Sequence, residues 1–175
     1  MPEDLHPIAL PPHRVWHRGG DRPVLALHCS LAHAGAWSGL AAALQGVTIT
    51  ASDAPGHGRA ADWVPGTDMH ALATAQSIAL AESLGQGKPI DLMGHSFGGT
   101  VALRIAVERP DLVRSLTLVE PVIFAAARAV DLAAFADFRA RHLGFAEKVA
   151  AGDLAGAAAE FHSHWGTGEA LADLP

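Results

Sequence analysis

The sequence predicts an α/β protein, a parallel sheet with helices on both faces, followed by a run of Ala-rich helices. Three observations lead there. Short apolar runs at Val24–His28, Val47–Ala51, Pro89–Met93 and Ser115–Glu120 read as buried strands. Helix-patterned segments at Ala36–Leu44, Asp68–Leu84 and Phe97–Glu108 alternate with them. The connections are short, and strand–helix–strand alternation of this kind implies βαβ crossovers.

Each element has a local reason. In the Pro-rich start, Leu5–Leu10 and Arg14–His17 read as short edge strands. V-L-A-L-H, from Val24, is the continuous apolar run of a strand buried on both faces. Ala36–Leu44 is rich in Ala and Leu and runs up to Gly46, a natural C-cap. V-T-I-T-A is β-branched, and S-D-A-P-G-H-G-R after it is dense in turn formers. Asp68–Leu84 reads as a helix with Met69, Leu72, Ala75 and Ala79 near one face and Gly85 at its end. Phe97–Glu108 is helical until Pro110 stops it. After Pro121 the pattern changes. Residues 125–165 read as two or three helices broken at Gly144 and Gly152, with Asp153 an N-cap. The expected organisation is a strand-and-helix core over residues 1–121 and a helical region over 122–175, with no later strands.

Composition bounds the function. A chain of 175 residues with half of them apolar is long enough for one sizeable core. Its mean hydropathy is +0.22. The net charge is −6 and no Lys/Arg cluster is present, so nucleic acid is not an expected partner. The single cysteine, Cys29, allows no disulfide within the chain, which fits a reducing compartment. The acidic start, M-P-E-D, is unlike a signal peptide, and the most apolar later stretch, Val122–Ala127, is too short to span a bilayer. A cytoplasmic protein without a membrane partner is expected. No C-x-x-C or H-E-x-x-H ligand set is present, so no metal or other cofactor is expected.

G-H-S-F-G, residues 94–98, carries the chemistry. It fits G-x-S-x-G, with a strand before it and a helix after it. A serine on so tight a turn projects its hydroxyl out of the sheet at the cost of a strained backbone. The residues two before and two after then crowd together, so both must be small, and here they are Gly94 and Gly98. The helix beyond opens with unpaired N–H groups, so the Phe97 N–H can stabilise an oxyanion. A phosphate loop shares part of this glycine spacing, but Thr100 stands where that loop needs Lys.

Two further segments agree. L-H-C-S-L closes the first strand and D-A-P-G-H-G-R closes the second. In these three motifs and their order the chain resembles the α/β-hydrolase superfamily, from about Val24 to Pro175, with residues 122–175 resembling a partial helical cap. The resemblance implies Ser96 as nucleophile, with the backbone N–H groups of Phe97 and Ser30 forming the oxyanion hole. Cys29 stands where the family has Gly, which is tolerable if its φ stays negative. The resemblance offers Glu120, at the end of the strand after the elbow helix, as a candidate acid; a solvated carboxylate is the equal alternative. The family's catalytic histidine follows strands that these residues do not reach. His28, His57 and His95 belong to the motif loops, and His162 and His164 diverge on one helix.

The expectation is therefore a serine hydrolase for a small hydrophobic carboxylic ester or related acyl substrate, incomplete without a missing C-terminal segment or chain. The competing expectation is a binding module that keeps the fold and lacks the base. Phe124, Phe135, Phe138 and Phe161 make the cap region apolar, which ordinary helix packing also explains.

Overall fold

A computed structural model describes residues 8–166. The chain divides into two compact units, Met1–Val122 and Ile123–Pro175. The first is built on a four-stranded sheet of β1 (His13–Leu27), β2 (Val47–Ser52), β3 (Ile90–His95) and β4 (Val113–Val119), in the order β2-β1-β3-β4. Between them run α1 (Ser38–Ala43), α2 (Met69–Gly85) and α3 (Phe97–Glu108).

β1 is longer than its apolar run. Its second half pairs in the same sense as β2, from Arg22 opposite Val47 to Leu27 opposite Ser52. Its first half runs back along the other edge of β2, with His13 opposite Ser52 and Arg18 opposite Val47, a descending register that is antiparallel. β2 thus lies between the two halves of β1. The turn that allows this contains Gly19, at φ +77, and Gly20, where a Cβ would collide with the backbone of Gly46. The edge strand expected at Arg14–His17 is this first half. Residues 8–10 form no strand, and residues 5–7 of the other expected edge strand lie outside the described residues.

The alternation along β1 feeds two cores. Leu25 and Leu27 face α2 and α3, with Leu80, Ala81, Ile90, Leu92, Val101 and Ile105. Val24 and Ala26 face α1, with Trp37, Ala41, Ile49 and Ala51. Helices therefore cover both faces of the sheet.

Three readings of helices need correction. The stretch Ala36–Leu44 begins as a 3-10 turn, Ala34–Trp37, capped by the His33 side chain, and only then becomes α1. α2 buries Ala73, Thr74, Ser77, Leu80 and Ala81, while Leu72 is exposed. Its small Ala, Ser and Thr side chains let the helix lie close to the sheet, and hydrophobicity alone does not mark that face. Among the described residues the second unit has four helices, not two or three: α4 (Phe124–Val130), α5 (Leu132–Arg141), α6 (Leu143–Ala150) and α7 (Leu154–Trp165). Gly144 breaks nothing. It sits inside α6, where its missing side chain admits the Glu160 carboxylate, the partner of Lys148. Asp131 and Asp153 cap α5 and α7 by accepting the N–H of Ala134 and Gly156 at 2.9 Å. Phe124 stacks on Phe138 at 3.8 Å, and the Phe138 and His142 rings meet tilted at 4.0 Å. Among the described residues no helix is long and apolar enough to cross a membrane.

Candidate active site

The site is set by topology. β1 and β3 are neighbours, with Leu27 opposite Gly94. From β1 the chain goes to β2 on one side, and from β3 it goes to β4 on the other. Such a reversal opens a crevice at the carboxyl ends of the two strands. Ser96 stands at the end of β3 and His28–Ser30 at the end of β1.

Ser96 occupies the one-residue turn between β3 and α3, with φ 52 and ψ −115. Its N–H donates to the Val119 carbonyl at 2.9 Å, and its carbonyl accepts the Thr100 N–H at 3.2 Å. The flanking glycines are sterically required. A Cβ on Gly94 would meet the Gly98 carbonyl and lie 2.7 Å from the Gly99 Cα. One on Gly98 would strike the carbonyls of Leu27 and His28, and one on Gly99 would press on Pro121 at 3.2 Å. Gly98 instead donates its N–H to the His28 carbonyl at 3.1 Å, which fastens the His28–Ser30 loop to the elbow.

Neither the Phe97 nor the Ser30 backbone N–H has an acceptor among the described residues. Cys29 is half-buried and is not among the residues with positive φ, so its Cβ is accommodated. Burial pushes its thiol pKa up, which keeps it protonated. The left-handed strain of the loop falls on Leu31, at φ 60, whose N–H reaches the His57 Nε2 at 3.4 Å.

His28 holds this loop from beneath. It is only 3% exposed. Its Nε2 accepts the Ala54 N–H at 3.0 Å, so its Nδ1 carries the proton and donates to the Cys29 carbonyl at 2.7 Å. Burial lowers its pKa, and the His57 ring 5.3 Å away adds to that against the Cys29 bond and the Asp53 charge. Asp53 is equally buried. It accepts the Ala34 N–H at 2.7 Å and the Arg59 N–H at 3.1 Å. Burial alone would raise its pKa, but these two donors and the Arg59 charge outweigh that and hold the carboxyl below its usual range. The D-A-P-G-H-G-R turn is thus wound round its own first residue. A Cβ on Gly58 would lie 2.6 Å from that carboxylate.

Glu120 follows directly on Val119, the residue bonded to Ser96, and has φ 45. Its side chain is 87% exposed, and its carboxylate lies 3.9 Å from the His95 Nε2. The fold therefore brings Ser96, Phe97, the Ser30 loop and the Glu120 backbone to one edge of the sheet. It turns the Glu120 carboxylate to His95. Among the described residues no histidine hydrogen-bonds the Ser96 hydroxyl, and no group of three His, Cys, Asp or Glu side chains could hold a metal. Sequence reasoning passes over His70. It packs beside the elbow, 30 residues before its partner Thr100, and no local motif marks it.

With this geometry in view, comparison with known proteins gives the family. The sequence model of the alpha/beta hydrolase fold matches residues 22–171, and the chain belongs to that family. It is 40% identical over 107 residues to Lipase LipV of Mycobacterium tuberculosis, covering 59% of this chain and 39% of that protein. It is 41% identical over 70 residues to the pimeloyl-[acyl-carrier protein] methyl ester esterase of Neisseria meningitidis, covering 40% of this chain and 25% of that one. Among solved structures it resembles the Paleococcus ferrophilus monoacylglycerol lipase with a TM-score of 0.56 at 25% identity, covering 67% of this chain and 49% of that one. The aligned part thus spans about two fifths or less of the length of these curated relatives.

Proposed function

We propose that this chain carries the nucleophile and oxyanion parts of a serine hydrolase that acts on a carboxylic ester or related acyl substrate. Ser96 is the nucleophile. The N–H groups of Phe97 and Ser30 bind the oxyanion that forms when Ser96 attacks the acyl carbon. Glu120 is the candidate acid, one residue beyond the strand that hydrogen-bonds Ser96. The relatives named as lipase and esterase support the ester as substrate class. One observation carries the reading: Ser96 at φ 52 between two glycines that cannot bear a side chain. A non-glycine residue in that conformation is strained, and strain of this kind gathers at functional turns.

A second reading, a binding module that keeps the fold, is favoured by the lack of a histidine on Ser96 among the described residues. Labelling with a fluorophosphonate separates the two. Slow modification of the chain, abolished in Ser96→Ala, supports the nucleophile. A chain that stays unlabelled at Ser96 supports the module. Without a base, ester turnover should fall well below the ~1–10³ s⁻¹ of ordinary enzymes.

A further inference from the structure

We propose that His70 is a positioning residue of the elbow: through Thr100 it holds the first residue of α3, Phe97, whose N–H serves the oxyanion. The role rests on the hydrolase reading above, but the physical tie can be tested apart from it.

The tie is a one-way chain of hydrogen bonds. Arg104 can only donate, so its guanidinium, 3.2 Å from the His70 Nδ1, makes that nitrogen the acceptor. The proton of the neutral ring must then sit on Nε2, which donates to the Thr100 Oγ1 at 3.1 Å. Thr100 in turn donates to the Phe97 carbonyl at 2.6 Å. The Arg104 Nε is held by Glu108 at 2.6 Å. Each donor polarises the next, so the chain is stiffer than its links taken singly. The His70 ring also meets the Phe97 ring edge-on at 5.7 Å. Phe97 is therefore held at its carbonyl by Thr100, which His70 orients, and at its side chain by the His70 ring.

The Arg104 link of this chain exists only while His70 is neutral. A proton on Nδ1 would set an N–H against the Arg104 guanidinium and cost the acceptor. The charged groups around the ring are Arg104 and Glu108 from α3 and Asp68 from the cap of α2. Burial and then Arg104 lower its pKa, and Asp68 and Glu108 oppose them. The ring's titration is therefore moved towards acid, where the Arg104 link should break while the Nε2 N–H still donates to Thr100 and the new ring charge acts on Phe97 and Thr100.

The test is nuclear magnetic resonance of the isotope-labelled 175-residue chain. The His70 ring nitrogens should report a proton on Nε2, and the Phe97 and Thr100 amide resonances should titrate with His70 in acid. His70→Phe should displace both amides and abolish the titration. His70→Gln, whose amide can accept from Arg104 and donate to Thr100, should return them to their neutral positions without titration. A Phe97 amide that ignores both His70 protonation and His70→Phe overturns the proposal. Should His70→Phe not fold, the titration of the natural chain and of His70→Gln decides alone. Fluorophosphonate labelling separates the two ideas. If Ser96 labels, His70→Phe should slow it about tenfold, within the range for misplaced catalytic groups, and His70→Gln should restore it. Labelling unchanged in His70→Phe overturns the positioning role and leaves the nucleophile. No labelling at Ser96 in any form, with Phe97 still titrating, overturns the hydrolase reading and leaves the tie.

Discussion

Ser96 pays in conformation for its place at φ 52 and ψ −115, a region in which a Cβ is unwelcome. That cost can be measured. Ser96→Gly removes the Cβ and should raise stability by about 1 kcal/mol, whereas Ser96→Ala keeps the Cβ and should not. Urea unfolding of the three chains checks this; equal midpoints for Gly and Ala would mean that the turn is unstrained. His28 makes a second residue-scale case. It is buried neutral between Ala54 and Cys29, so its folded pKa lies below the unfolded value of about 6.5. The unfolded chain then binds the proton first, and stability must fall as pH drops from about 6.5 towards the folded pKa. His70 is shifted in the same direction and contributes to the same slope. His28→Gln should remove part of that slope. It should also destabilise by roughly 1–3 kcal/mol if the Ala54 N–H or the Cys29 carbonyl loses its partner. Unfolding free energies at pH 7.5 and 5.5 give both quantities.

At the scale of elements, the sheet is pinned at the amino end of β3, away from Ser96. Asp91 is 7% exposed. It receives Arg22 at 2.5 Å, the Nε and Nη2 of Arg114 at 2.8 and 2.9 Å, and Ser115 at 2.7 Å. One carboxylate thus ties β1, β3 and β4 together. Burial alone would raise its pKa, but the bonds from Arg114, Arg22 and Ser115 outweigh this and hold it well below the carboxylate range. The stability it gives is complete above about pH 4 and is lost as pH falls through the folded pKa. Asp91→Ala should cost about 1–3 kcal/mol rather than more, because both arginines are partly exposed and can rehydrate. It should also flatten the acid limb of the stability curve. This clasp is hidden in the sequence, where Arg22, Asp91 and Arg114 are far apart. The strands it joins are legible because central strands bury both faces and read as apolar runs. The first half of β1 is legible as the edge strand at Arg14–His17, but its return along β2 is not, since R-V-W-H-R lies at the sheet margin and carries charge. α2 hides its buried face because close packing there selects for small side chains, not greasy ones.

For the molecule as a whole, the legible part of the site is the part built by backbone. Gly94, Ser96 and Gly98 announce the elbow because steric exclusion leaves no other residues. Glu120 and His70 depend on side-chain directions and on pairings across the fold, which no local pattern encodes. The two units also differ in how much they bury. Residues up to 122 hold two apolar clusters around the sheet. In α4–α7 the buried residues described are Ala157 and His162 alone, while Val130, Leu132 and Leu154 are 88%, 70% and 69% exposed. Local stability follows buried apolar contact, so the helices of the second unit should open far more readily than β3 and α3. Hydrogen exchange followed by mass spectrometry reads this directly. Peptides from residues 124–165 should exchange at least ~10²-fold faster than those from 90–108, a gap of about 2.7 kcal/mol in opening free energy at 1.36 kcal/mol per tenfold. Equal protection in the two sets would show that the apolar side chains of α4–α7 are covered in solution, and the low stability assigned to this unit would be wrong.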